Sequence, residues 1–404
     1  MRVSFSLFTA LAAVAAAENY LGFNSGSTKA DYSVKVKADF LQEFKTAQNL
    51  EGAPGVFNAV RLYTNIQGGT QDDPISAFEA AIETKTKILL GIWTSGTNSI
   101  EKELNALQKA VKQYGSKFTD LVIGISIGSE DLYRNSVTGV ANKAGVGAQP
   151  DQLVAFIGDF KKAFKDTALG KTPVGHVDTW DVWPNATNKA VLDAIDWVGV
   201  DEYPYYENGK GNNIKNSGNL FDKAYNATIQ AAGGKAVWVT ETGWPSSGPN
   251  WDQAVPSIEN AKYYWQEIGC RQLFNKVPTF WYNLRDSNPD NKQQFAITKD
   301  LSTKPLFDLK CPTTFDTDKQ RQANSASSGG NSSTGNSSGG NSTAGNSSST
   351  PSTASGSSNS GSNTNPSAAG STSKAPSSAA GIIEVLPVAA YAGLAVIGGA
   401  LAMY

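Results

Sequence analysis

Apolar positions along this chain follow two periods. Short, nearly continuous apolar runs recur at Tyr20–Phe23, Asn58–Tyr63, Lys87–Trp93, Leu121–Ile127, Val174–Val177, Trp197–Asp201, Lys235–Thr240 and Pro278–Tyr282, and each reads as a strand buried on both faces. Between them apolar residues return at helical spacing: Val36, Phe40 and Phe44, then Ile100, Leu104, Leu107, Val111 and Tyr114. A further stripe, Leu153, Phe156, Ile157, Phe160 and Phe164, follows a helix start at Gln149-Pro150-Asp151, and a shorter helix fits Ala190 to Ile195. Strands alternating with helices over about 300 residues predict an α/β fold closed as a (β/α)8 TIM barrel. An open doubly wound sheet would be expected to carry a Gly-rich phosphate loop, and none is present.

The pattern stops at both ends. Residues 1–18 begin Met1-Arg2 and continue as an alanine-rich apolar run, the form of a secretory signal peptide. The catalytic barrel is therefore expected over 19–312. From Thr313 the composition turns to Ser, Gly, Asn, Thr and Ala, so residues 313–370 are expected to form an extended, glycosylated stalk with too little apolar surface to fold. Asn331, Asn336, Asn341 and Asn346 begin N-glycosylation sequons there, as Asn185 and Asn226 do in the barrel. Residues 371–404 end in a hydrophobic tail with no basic flank after it, which fits a GPI-attachment propeptide removed at Gly370. The expected location is the outer face of the cell membrane and the cell wall. A flexible stalk of this kind favours a monomer.

Charge and composition narrow the chemistry. Lys plus Arg number 34 against 36 Asp plus Glu, a near balance that argues against nucleic acid and for a neutral partner. One histidine, His176, and two cysteines, Cys270 and Cys311, leave no His/Cys zinc cluster, and no cofactor is implied. His176 lies in an apolar strand pattern and reads as a core histidine. In an oxidising, secreted setting Cys270 and Cys311 are expected to pair.

Carboxylates remain as catalysts. Glu130 and Glu241 each stand where an apolar strand must stop, and strand C-terminal ends form the active face of such barrels. Two carboxyl groups on a rigid rim can cleave an acetal, one protonating the leaving oxygen and the other attacking the anomeric carbon or activating water. Tyr63, Trp93, Trp180, Tyr203, Trp244 and Trp281 fall at or just past strand ends, where rings can cover a pyranose face. Asp178, Asp201 and Glu202 stand at the same rim. Each could bind hydroxyls or orient Glu241, and Glu202 reads first as a solvated loop charge.

These residues carry a resemblance. Trp238-Val-Thr-Glu-Thr-Gly-Trp-Pro-Ser246 resembles the nucleophile signature of family 17 glycoside hydrolases, the β-1,3-glucanases, and Ile125-Ser-Ile-Gly-Ser-Glu-Asp-Leu-Tyr-Arg134 resembles the acid/base segment of its fungal wall branch. Arg61-Leu-Tyr63 and Asp201-Glu-Tyr-Pro-Tyr205 also match in order, so the similarity covers roughly residues 19 to 311. It implies a retaining endo-acting hydrolase of wall β-1,3-glucan, with Glu241 as nucleophile, Glu130 as proton donor and carboxyl groups about 5 to 5.5 Å apart. Substrate contacts are then expected from Tyr63, Ser129, Asp178, Trp180, Tyr203, Trp244 and Trp281. Ser129 stands where related barrels usually carry the Asn that meets the sugar 2-hydroxyl. Two other functions remain open: a β-1,3-glucanosyltransferase using the same residues, and a non-catalytic glucan-binding wall protein.

Overall fold

The structure, a computed structural model, describes residues 19–288 and 290–329. Eight parallel strands close on themselves in chain order: β1 (Leu21–Ser25), β2 (Ala59–Leu62), β3 (Lys87–Ile92), β4 (Val122–Ser129), β5 (Val174–Thr179), β6 (Trp197–Asp201), β7 (Ala236–Glu241) and β8 (Thr279–Trp281), with β8 pairing β1. This is the (β/α)8 barrel that the apolar runs predict. Strand ends move by one or two residues, and β4 reaches Ser129, delivering the chain to Glu130.

Alternation along each strand sorts the core into layers. Ala59, Leu89, Val177, Trp197, Trp238 and Phe280 form one cluster, in which the Trp197 and Trp238 rings stack with centroids 4.4 Å apart. Gly175 makes room for this pair, since a Cβ there would stand 2.3 Å from the Trp197 ring. Residues of opposite parity, such as Val60, Leu62, Ile88 and Leu90, pack with Phe40, Phe78 and Phe118 from the helical layer. Helices Glu101–Tyr114 and Pro150–Phe164 bury the stripes expected of them, whereas Val36, expected on the first stripe, lies 56% exposed just ahead of helix Lys37–Gln48.

Pairing is irregular at the start of β3 and β4, where the register shifts between Ile88 and Leu89, and again near the C-terminal rim. Register shifts fall between Ser126 and Ser129 on β4 and between Val200 and Asp201 on β6, and such irregularities re-aim side chains. The register sets Asn24 beside Arg61 and Asp201 beside Glu241.

The expected extended stalk is corrected at its start: residues Asp316–Gly329 are helical. The reason is electrostatic docking rather than apolar burial. Glu267 accepts from the backbone N–H groups of Asp316 and Thr317, both at 2.9 Å, and so caps the helix. Arg321 and Arg271 pair with the buried Asp222, and Thr317 is fully buried against Gly218. Cys270 and Cys311 form a disulfide beside this docking site. The expected signal peptide over residues 1–18, the expected attachment residue Gly370 and the sequons at Asn331, Asn336, Asn341 and Asn346 lie outside the described residues. Asn185 and Asn226 are exposed. Among the described residues no helix is long and apolar enough to cross a membrane.

Candidate active site

Glu241 ends β7 and is completely buried. Its Oε1 accepts from the Tyr63 hydroxyl at 2.6 Å and from Arg61 Nη1, and its Oε2 accepts from the Tyr203 hydroxyl at 2.7 Å. Three donors around one group leave it a pure acceptor, fixed in direction. Arg61 is held in turn: Nη1 also donates to Asn24 Oδ1 and Nη2 to Ser129 Oγ, each at 2.9 Å. Asn24 spends its amide on the carbonyls of Thr240 and Phe280, both at 3.1 Å, tying this network to β7 and β8.

Glu130 follows β4 in the left-handed region, φ 57° and ψ 25°, a conformation costing a residue with a side chain about 1–3 kcal/mol. Asp131 supports the turn by accepting from Ser129 N–H, the hydroxyls of Thr94 and Ser95, and Ala148 N–H. Gly128 precedes it at φ +87°, where a Cβ would stand 2.5 Å from Asp131 Oδ2. Burial pushes the Glu130 carboxyl up to about 8. Arg134, whose Nη2 lies 3.4 Å from Glu130 Oε2, opposes this, while the charges of Glu241 and Asp178 reinforce it. A carboxyl so placed holds a proton at neutral pH.

Several rim residues differ from expectation. Asp178 is completely buried and meets no cleft: its oxygens accept from the N–H groups of Leu132, Tyr133 and Thr179 and face His176 Nε2, so it pins the turn after Glu130. His176 is a satisfied core residue whose Nδ1–H donates to the Ile127 carbonyl at 2.6 Å. Trp281 also belongs to the core. Phe280 faces the barrel interior, so alternation turns Trp281 outward onto Trp265, Tyr264 and Phe274. Trp244 folds back against Tyr205 and Tyr264 and donates Nε1–H to Val255 O. Neither ring offers a free face. Glu202 is 2% exposed rather than solvated, and burial, with Glu207 nearby, raises its carboxyl well above the usual range. Asp201, also buried, accepts from Thr240 Oγ1; burial first and Glu241 next raise its carboxyl.

Tyr63, Trp93 and Trp180 are the half-buried rings among those expected at the mouth. Trp180 donates to Glu207 Oε1 at 2.8 Å, with the Lys210 ammonium 4.8 Å from its ring centroid. Trp251, half-buried and edge-on to Tyr206, is not among the expected rings, because it lies well inside the loop after β7 rather than at the strand end. Tyr203 is 8% exposed and Ser129 buried, so both act here through Glu241 and Arg61. Among the described residues no cluster of His, Cys, Asp or Glu could hold a metal ion.

A closed (β/α)8 barrel with two buried glutamates on its C-terminal rim, one gripped by donors and the other raised in pKa by burial, is the arrangement that paired-carboxylate glycoside hydrolysis calls for. Comparison with known proteins agrees. The BtgE/BtgC glycoside hydrolase domain matches residues 22–299, and the chain belongs to that family. It is 49% identical over 313 residues to the probable glucan endo-1,3-beta-glucosidase eglC of Aspergillus oryzae, covering 77% of this chain and 67% of that one. It is 50% identical over 293 residues to the protein of the same name in Emericella nidulans, covering 72% and 62%. The chain thus spans about two thirds of the length of these relatives. Among solved structures it resembles the glycoside hydrolase family 17 beta-1,3-glucanosyltransferase from Rhizomucor miehei, with a TM-score of 0.59 and 23% identity over 72% of this chain and 98% of that one, a likeness of fold.

Proposed function

We propose that this protein is a retaining, endo-acting hydrolase of cell-wall β-1,3-glucan, in which Glu241 is the nucleophile and Glu130 the acid/base. The observation that carries this is the opposite treatment of the two carboxyl groups: three donors aim Glu241, while burial keeps the Glu130 proton. In the first step Glu130 protonates the glycosidic oxygen as that bond breaks, and a Glu241 oxygen bonds to the anomeric carbon. In the second step Glu130 takes a proton from water, whose oxygen displaces Glu241. Trp180 and Trp93 at the mouth serve as sugar-facing rings, and the relatives' names supply the linkage.

The same proposal covers delivery. The signal-like residues 1–18, the sequons and the tail over 371–404 support a secreted, GPI-anchored glycoprotein working as a monomer at the outer membrane face and in the wall.

The test is a time course of the full chain on a reducing-end-labelled β-1,3-gluco-oligosaccharide beside Glu241→Gln, with products sized by mass. Shorter products from wild type alone are expected. Products longer than the substrate would assign glucanosyl transfer, and none from either protein would overturn the proposal. On a dinitrophenyl β-glycoside, whose leaving group needs no acid, azide should restore turnover to Glu130→Ala by replacing water in the second step.

A further inference from the structure

Arg134 closes the short helix Asp131–Arg134 and is 3% exposed. Its Nη2 faces Glu130 Oε2 at 3.4 Å, its Nη1 donates to Ser95 Oγ at 3.0 Å and to the Ser129 carbonyl, and its guanidinium lies 5.4 Å from the Trp93 ring centroid. The side chain is thus fixed from three directions, in a position that opposes the first chemical step. A cation beside a carboxyl favours its ionised form, and Arg134 is the largest influence lowering Glu130 against burial. During bond cleavage, when Glu130 must hold its proton, this is a disadvantage.

The balance reverses once the sugar is attached. Forming the ester consumes the negative charge of Glu241, one of the charges that kept Glu130 protonated. Glu130 must then act as a base, and the cation beside it becomes an advantage. We propose that Arg134 is a positioning residue for Glu130 that stabilises its carboxylate in the glycosyl-enzyme and thereby speeds the second half of turnover. This inference rests on the roles given above to Glu130 and Glu241. In the step concerned, Glu130 removes a proton from the incoming hydroxyl, the oxygen of that hydroxyl bonds to the anomeric carbon, and the ester bond breaks with its electron pair returning to Glu241.

Other groups act on Glu130, but none is placed as Arg134 is. Glu241 from β7, Asp201 from β6 and Asp178 from β5 raise its carboxyl or are raised by it, with His176 behind Asp178. Tyr133, Tyr206 and Tyr282 surround it as neutral phenols. Arg61 on β2 is the other cation acting on it, and that guanidinium is committed to Glu241, Asn24 and Ser129.

The experiment uses the full chain, its Arg134→Met and Arg134→Lys variants, and a dinitrophenyl β-glycoside of a β-1,3-gluco-oligosaccharide. This leaving group needs no acid, so kcat reports the second step. For Arg134→Met the acid limb of the kcat profile should move up by about 1 pH unit, with kcat on the acid side of the limb falling ~10-fold and kcat/KM changing less than ~3-fold. A burst of dinitrophenolate equal to the enzyme concentration should accompany it. Arg134→Lys keeps the charge, so its limb should stay near that of wild type. An unshifted limb in Arg134→Met would overturn the inference, as would equal shifts in both variants, which would trace the effect to packing. A 2-fluoro glycoside should leave a sugar on Glu241 in wild type, read by mass. Failure of that adduct to form would overturn the glutamate roles themselves, separately from Arg134.

Discussion

Replacing Arg61 with methionine tests how the nucleophile is held. The substitution keeps the unbranched apolar stem out to about the position of Nε, but removes the guanidinium shared by Glu241, Asn24 and Ser129. Both partners are dry, the Arg61 side chain 1% exposed and that of Glu241 0%. Removing one member of such a pair strands the other charge, at a cost of about 3–5 kcal/mol. Asp201, which also faces Arg61, adds to the same side. Glutamine at 241 strands no charge, so in a Glu241→Gln background the same change should cost about 2 kcal/mol less, the coupling expected of contacting residues. Urea unfolding of the four proteins, with free energies from linear extrapolation, measures both quantities. The reasoning fails if Arg61→Met costs less than about 1 kcal/mol, or if its cost is the same in both backgrounds.

Three further outcomes follow from the same geometry. Burial raises the folded-state pKa of Glu130 to about 8, above its unfolded value, so the wild type loses stability as pH rises through that range; Glu130→Gln should be the more stable protein at pH 9 and lose this advantage near pH 5, as urea midpoints will show. Trp180→Ala should weaken binding of laminarin-type oligosaccharides by about 1 kcal/mol with little change in stability, whereas Trp281→Ala should cost about 3–5 kcal/mol of stability, and calorimetry of binding and unfolding separates the two. Cys311→Ser opens a crosslink spanning 41 residues and should cost about 4 kcal/mol, measured beside wild type without reductant.

The barrel was legible because parallel strands buried on both faces stand out as apolar runs, and the two glutamates because each interrupts such a run at its end. What escaped was anything decided by which way a side chain turns. Trp281 and Tyr203 both stand at strand ends, yet one faces helices and the other faces Glu241. Asp178 reads as a rim carboxylate until its three backbone donors are seen. Asn24 and Arg61 did leave a trace, as polar residues within apolar strands that only inward-facing partners could satisfy. Asp316–Gly329 left none, since its cap, Glu267, and its ion-pair partner, Asp222, belong to distant segments.

That docked helix has a mechanical consequence. A pull on the chain beyond residue 329 first loads the grip on Arg321, Thr317 and Asp316 by Asp222 and Glu267. Were that grip to give way, the tension would pass at Cys311 into Cys270 through a covalent link, reaching the segment before β8 without first unravelling residues 271–310. The covalent route thereby bypasses β8 and Phe295, whose ring packs edge-on against Tyr203.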